Sequence, residues 1–280
     1  MTLRPFTLVV GDGEIVRGDL RLPPGPPPRS AVVVIHGFKG FKDWGFFPYV
    51  CQSLAGDGHA VVSFNFSRNG VGDDPENFTE LDAFARNTFT RELDEVHRVV
   101  SEVREGDLLP RPVEKVGLLG HSRGGADAIL TAREDPGVDA LVTWAAVAGF
   151  DRWSEETREE WRRDRRLYVL NARTGQQMPL NVSLLEDFEE NRERLDIVGA
   201  AREVRAPWLI VHGADDVSVP PADARRLAEA QVGASLEIIP DAGHTFEAVH
   251  PFVGAPPELD RALESTRRHF RIHLLEGNGG

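Results

Sequence analysis

Polar and apolar positions alternate along this chain in blocks, not residue by residue. Six short runs are mostly apolar and lack polar alternation: "AVVVIHG" (31–37), "HAVVSFNF" (59–66), "KVGLLGHS" (115–122), "ALVTWAAVA" (140–148), "WLIVHG" (208–213) and "SLEIIP" (235–240). β-Rich runs without polar alternation belong to strands covered on both faces. Between them, "FFPYVCQSLAGDG" (46–58), "TRELDEVHRVVSEVREG" (90–106), "RGGADAILTARED" (123–135), "PADARRLAEAQ" (221–231) and "PELDRALESTRRHFRIHLLEG" (257–277) space their apolar residues three and four apart, as amphipathic helices do. Strand then helix, repeated, predicts an α/β fold with a mostly parallel sheet and helices on both faces.

Two segments depart from this rhythm. "FTLVV" and "IVRGDLRLP" flank the turn-forming "GDGE", so residues 5–22 are predicted to form a β-hairpin, joined by the extended "PPGPPPRS" to the next strand. Residues 150–206 open with the charge-dense "DRWSEETREEWRRDRR", in which Trp153 and Trp161 share one helical face. This predicts a small cap insertion at about 150–206 within a single domain spanning 1–280.

Chemistry enters at "VGLLGHSRGGADAIL" (116–130), where Ser122 stands between Gly120 and Gly124. The G-x-S-x-G pattern has physical meaning when a strand precedes it and a helix follows, because the sharp turn lifts the hydroxyl above the sheet edge. Both conditions hold, which marks Ser122 as a nucleophile. Its hydroxyl needs a histidine base and an orienting carboxylate, expected in the chain order serine, acid, histidine. His244, in "IIPDAGHTF", follows the last predicted strand, where active-site groups of open parallel sheets collect. His250 is the weaker alternative, and His269 and His273 read as residues of the final helix. For the acid, "WLIVHGADDVSVP" offers Asp215 and Asp216, with Asp241 as a third candidate.

At this point the chain resembles the α/β-hydrolase superfamily, and within it small bacterial serine esterases of the dienelactone-hydrolase-like and cinnamoyl-esterase-like groups, through "HGFKG", "GHSRGG" and the modest insert. The resemblance implies the α/β-hydrolase fold. Its H-G-x-x-D-x-x-V-P turn selects Asp216, with Val219 and Pro220 in step. It also implies an oxyanion hole made by the backbone N–H groups of Arg123, after the nucleophile, and Phe38, after His36-Gly37. Two departures limit the transfer of substrates: Ser122 stands where dienelactone hydrolases proper carry cysteine, and "FNFSRNGVGDD" replaces the D-F-x-G-x-G-x-S loop of many relatives.

Composition narrows the field. A net charge of −13 opposes binding to nucleic acid and anionic membranes, which basic patches mediate. No apolar export segment or long apolar run occurs, and the single Cys51 makes no internal disulfide, so the expected location is the cytoplasm. No metal-ligand motif is present, and the expectation is a cofactor-free enzyme. The reading is therefore a serine carboxylic-ester hydrolase working through an acyl-enzyme on a small-molecule ester with a short or aromatic acyl group; a homodimer is compatible with it. A serine peptidase or amidase of the same fold, and a non-catalytic binding protein of that fold, are the alternatives. Trp44, Trp153 and Phe246 are the expected aromatic pocket residues, and Lys39, with Lys42 beside it, the expected attractor of an anionic group.

Overall fold

A computed structural model describes the chain except for residues 73, 75, 76, 107 and 277–280. Residue 73 of the variant loop and residue 277 of the final predicted helix thus lie outside the described residues. The hairpin forms as expected: β1 (Thr2–Val9) and β2 (Ile15–Leu22) pair antiparallel, with the reversal at Gly11–Gly13. β3 (Ser30–Ile35) leads through α1 (Phe47–Gly56) to β4 (Ala60–Asn65). A short α2 (Leu81–Ala85) and α3 (Phe89–Glu105) precede β5 (Lys115–His121), and α4 (Arg123–Glu134) leads to β6 (Ala140–Trp144). Next come α5 (Glu155–Asp164), the strands β7 (Arg166–Leu170) and β8 (Gln177–Asn181), α6 (Ser183–Glu190) and α7 (Ile197–Glu203). The chain finishes with β9 (Trp208–Gly213), α8 (Pro221–Ala230), β10 (Ser235–Ile239) and α9 (Pro257–Phe270).

Eight strands make one sheet in the order β1-β2-β4-β3-β5-β6-β9-β10, antiparallel at β1-β2-β4 and parallel from β4 to β10. The apolar runs are explained by burial on both sides. Along β3, Ala31, Val33 and Ile35 join a core with residues of α3, α4 and α8, while Val32 and Val34 join a second core with residues of α1 and α9. A polar residue at any of these positions would lose its water on whichever face it pointed to.

Two predicted elements differ. The run 140–148 is a strand only to Trp144: Ala145 takes φ 48, and the backbone turns so that Val147 N–H donates to the Ser122 carbonyl. The apolar character of residues 145–148 comes from burial in the turn that leaves β6, with Val147 on the cavity wall. Within 150–206 the structure adds a β7–β8 hairpin. Arg166, Tyr168 and Leu170 are exposed while Leu167 and Val169 pack inward, the half-buried alternation of a two-stranded ribbon. α5 is capped by Ser154 Oγ, with Glu155 and Glu156 in its first turn and Arg162 and Arg163 in its last, each suiting the helix dipole. Its Trp161 is buried, lies 5.0 Å from Trp153 edge to face, and donates from Nε1 to the Leu180 carbonyl, which ties α5 to β8. α7 instead packs against α4, sharing the core of the main sheet. No helix among the described residues is long and apolar enough to cross a membrane.

Candidate active site

Ser122 occupies the tight corner between β5 and α4 with φ 58 and ψ −119, a backbone conformation disfavoured for any residue with a Cβ. The flanking glycines make the corner possible. A Cβ on Gly120 would overlap the backbone of Gly124 and Gly125, and one on Gly124 would lie 2.5 Å from the carbonyl oxygens of Ile35 and His36. The serine is thus pushed out at the end of β5, beside the loop that leaves β3.

β9 and β10 bring the other two groups. Asp216 lies in the turn after β9 and His244 in the loop after β10. The Asp216 carboxylate is buried; its Oδ1 accepts from the N–H groups of Ser218 and Val219, each at 2.9 Å, and its Oδ2 accepts from His244 Nδ1 at 2.8 Å. His212, fully buried on β9, donates from Nε2 to the Val219 carbonyl at 2.8 Å and points the same N–H at Asp216 Oδ2, 3.3 Å away. Burial alone would raise the Asp216 pKa, but the hydrogen bonds from His212 and His244 outweigh it and hold the carboxyl well below its ordinary range. An ionised carboxylate can only accept, so Nδ1 of His244 carries the proton and the Nε2 lone pair of the neutral ring faces Ser122 Oγ at 3.1 Å. The alternative candidates sit elsewhere. Asp215 is exposed, and the ring of His250 accepts from Gly45 N–H while packing on Trp44.

The base itself is held from behind. His121, next to the serine, donates from Nε2 to the His244 carbonyl at 2.9 Å. Burial, with a smaller contribution from His244, pushes its pKa down to about 3, so it stays a neutral donor. Neither His121 nor His212 was singled out from sequence, although both adjoin a recognised motif residue. The N–H groups of Phe38 and Arg123 donate to no other residue among the described ones. Gly37 lies between them and the elbow: a Cβ built there would stand 2.9 Å from Ser122 Cβ and 3.3 Å from Arg123 N. Backbone donors left without a protein acceptor are groups that can stabilise the negative charge of a tetrahedral oxyanion.

Ser122 and His244 open into a cavity of about 420 Å³. Phe38, Phe89, Phe150 and Trp153 supply aromatic surface, and Val169 and Leu180 of the β7–β8 hairpin cover it. Lys39 also reaches the cavity, as expected from its position. Three other expectations are corrected. Trp44 stacks on His250, with ring centroids 6.0 Å apart, and is not on the cavity wall. Phe246 is fully buried against Trp144 beneath the sheet edge. Lys42 Nζ donates to Asp19 and Asp43 at 2.6 Å each and is neutralised away from the serine. Each lies near the site in sequence but points into a different layer. Phe89, Phe150 and Arg152, which do line the cavity, carry no local motif that would single them out.

Comparison with known proteins agrees with this fold. A model described as "Alpha/beta hydrolase family" matches residues 32–258. Among curated proteins the chain is similar to 2,6-dihydropseudooxynicotine hydrolase of Paenarthrobacter nicotinovorans, 24% identical over 219 residues; the match covers 74% of this chain and 50% of that protein, so the chain spans about half the length of this relative. Among solved structures it resembles ferulic acid-bound Est1E from Butyrivibrio proteoclasticus (TM-score 0.75, 19% identity, covering 97% of this chain and 100% of that one). It also resembles the esterase domain of a Rhodothermus marinus protein (TM-score 0.66, 21% identity, covering 98% and 100%).

Proposed function

The chain belongs to the alpha/beta hydrolase family, and from that premise we propose that it is a serine carboxylic-ester hydrolase working through an acyl-enzyme, with Ser122 as nucleophile, His244 as general base and acid, and Asp216 as the anion that orients the imidazole. The observation that carries this reading is the continuous path Ser122 Oγ, His244 Nε2, His244 Nδ1, Asp216 Oδ2, with links of 3.1 and 2.8 Å, opening into an aromatic-walled cavity.

In the first half-reaction Ser122 Oγ attacks the acyl carbon while its proton passes to His244 Nε2, and the carbonyl electron pair moves onto oxygen. The N–H groups of Phe38 and Arg123 hold that oxyanion, each worth about 3 to 4 kcal/mol in the transition state. Collapse expels the alkoxide, which takes the proton from His244 and leaves as alcohol. Water then repeats the sequence against the acyl-serine, giving its proton to His244 and releasing the carboxylic acid and free Ser122. Asp216 stays ionised throughout, because the hydrogen bonds from His212, His244 and two backbone donors outweigh burial and favour the anion.

The test is a fluorophosphonate label with a parallel p-nitrophenyl butyrate assay on wild type and Ser122→Ala. Wild type should be labelled and active, and the variant neither, with an unchanged circular dichroism spectrum. Retained labelling in the variant would reject Ser122. A specificity constant for a matched anilide at or above that for the ester would move the assignment to a peptidase.

A further inference from the structure

Resting on the ester-hydrolase reading, we propose that the cavity selects esters that carry a second, ionised carboxylate, received between Lys39 and Arg123. The protein as a whole is acidic, with 45 carboxylate residues against 32 basic ones. Its cavity has the opposite character: Lys39, Arg123 and Arg152 line it, and no aspartate or glutamate does so among the described residues. A low-dielectric cleft with one sign of charge concentrates ligands of the other sign.

Two of the three cations are held together over one ring, and Lys39 has no carboxylate partner among the described residues. The Arg123 guanidinium lies 4.1 Å from the centroid of the Phe38 ring, and Lys39 Nζ lies 5.6 Å from the same centroid. The Phe89 ring flanks the guanidinium as well, with its centroid 4.9 Å away. Like charges sharing one ring repel, and Lys39 itself takes φ 57, a left-handed conformation in which a side chain is disfavoured. Lys39 Nζ donates to the Leu170 carbonyl of β7 and pairs with no carboxylate among the described residues. Arg152, by contrast, is neutralised by Asp223 at 3.0 Å. Arg123 has only a long contact of 3.5 Å to Glu92. Burial, then the charge of Arg123, pushes the Lys39 ammonium down from its ordinary pKa, a penalty that an incoming carboxylate would relieve.

The carboxylate can sit on the acyl or on the leaving side, so the test uses both. Specificity constants are measured for methyl hydrogen adipate against dimethyl adipate, and for 4-acetoxybenzoate against its methyl ester, each divided by its hydroxide-catalysed rate. In at least one pair wild type should favour the anion by roughly tenfold or more, with the preference shrinking as salt is added. Lys39→Gln should lower that ratio by about tenfold and Lys39→Arg should restore it, while Arg29→Gln, at the far end of β3, should leave it unchanged. Anion-to-neutral ratios at or below one in both wild-type pairs would overturn the proposal. So would equal losses on both members of each pair in Lys39→Gln, which would make Lys39 an oxyanion or structural residue. Ser122-dependent hydrolysis without charge preference sinks this inference alone; hydrolysis unaffected by Ser122→Ala sinks the ester-hydrolase reading beneath it.

Discussion

Asp216 accepts four hydrogen-bond contacts, from two backbone donors and two histidines, whereas its neighbour Asp215 is exposed. Adjacent, chemically identical side chains thus have opposite fates, because consecutive residues of a turn leaving a strand point to opposite sides. Asp216→Asn should lower kcat by about 10⁴-fold, as the imidazole loses its anion and its tautomer, and Asp215→Asn should change it less than about twofold. Steady-state kinetics on the two purified variants decide this, and the reverse order would mean that the wrong aspartate faces His244. At the same scale, Phe246 and Trp153 show why residue type alone does not make a pocket. Both are aromatic and near a site residue, yet Phe246 packs on Trp144 while Trp153 reaches the cavity.

The element that shapes the cavity is the segment from α5 to β8. Its sequence is too charged to stand alone as a hydrophobic unit; Trp161, buried and bonded to the Leu180 carbonyl, holds its helix and hairpin together, and bonds such as Gln176 Nε2 to the Phe78 carbonyl join it to the rest. Trp161→Ala should destabilise the protein by about 3 to 5 kcal/mol if the cap melts with the rest, seen as a lower denaturant midpoint. A small early transition preceding the main one would mean that the cap unfolds separately. The hairpin presents Val169 and Leu180 to the cavity but leaves Tyr168 and Leu170 exposed singly, not as a broad apolar sheet. A cap of this kind roofs a closed site and does not open onto lipid. Acetyl to hexanoyl or arylacyl esters should therefore be cleaved roughly tenfold more efficiently than dodecanoyl esters. A specificity constant that climbs steadily to palmitoyl, with activation at an oil–water interface, would contradict this.

Across the whole molecule, stability depends on groups that the catalytic cycle does not touch. Asp127, on α4 one turn past the elbow, is fully buried with both oxygens unpartnered; burial, and then Glu92, pushes its pKa well above the ordinary carboxylate value. The sign follows directly. The folded protein keeps this carboxyl protonated while the unfolded chain ionises it above about pH 4, so its contribution is present at low pH and is lost as pH rises through the folded value. Asp127→Asn removes the titration. Its melting temperature relative to wild type should increase steadily from about pH 5 to pH 8. A difference that stays flat over that range would mean that Asp127 titrates alike in the folded and unfolded chain. His36 and His121 act in the opposite direction. Their pKa values are pushed down by burial to about 4 and about 3, so their contribution is lost as pH falls below about 6.5.

What the sequence determined by itself was whatever rests on local sterics or on burial averaged along an element. β3 is recognisable because residues 31–35 face two cores at once and tolerate no polar position. Ser122 is recognisable because Gly120 answers to a clash with Gly124 and Gly125 within five residues of chain, although Gly124 answers to the distant carbonyls of Ile35 and His36. Chain order then located the neighbourhoods of Asp216 and His244 at the ends of β9 and β10. The tertiary structure alone decided which side chains share the cavity: Lys39 and not Lys42, Trp153 and not Trp44 or Phe246, together with Phe89, Phe150 and Arg152. It also decided that residues 166–181 would form a hairpin, whose inward positions have meaning only once α5 and the sheet edge exist to cover them. These outcomes depend on the relative rotation of elements far apart in the chain, as Lys39 and Leu170 are, 131 residues from each other. No pattern read within one element records that rotation, because it is set by the packing of both partners together.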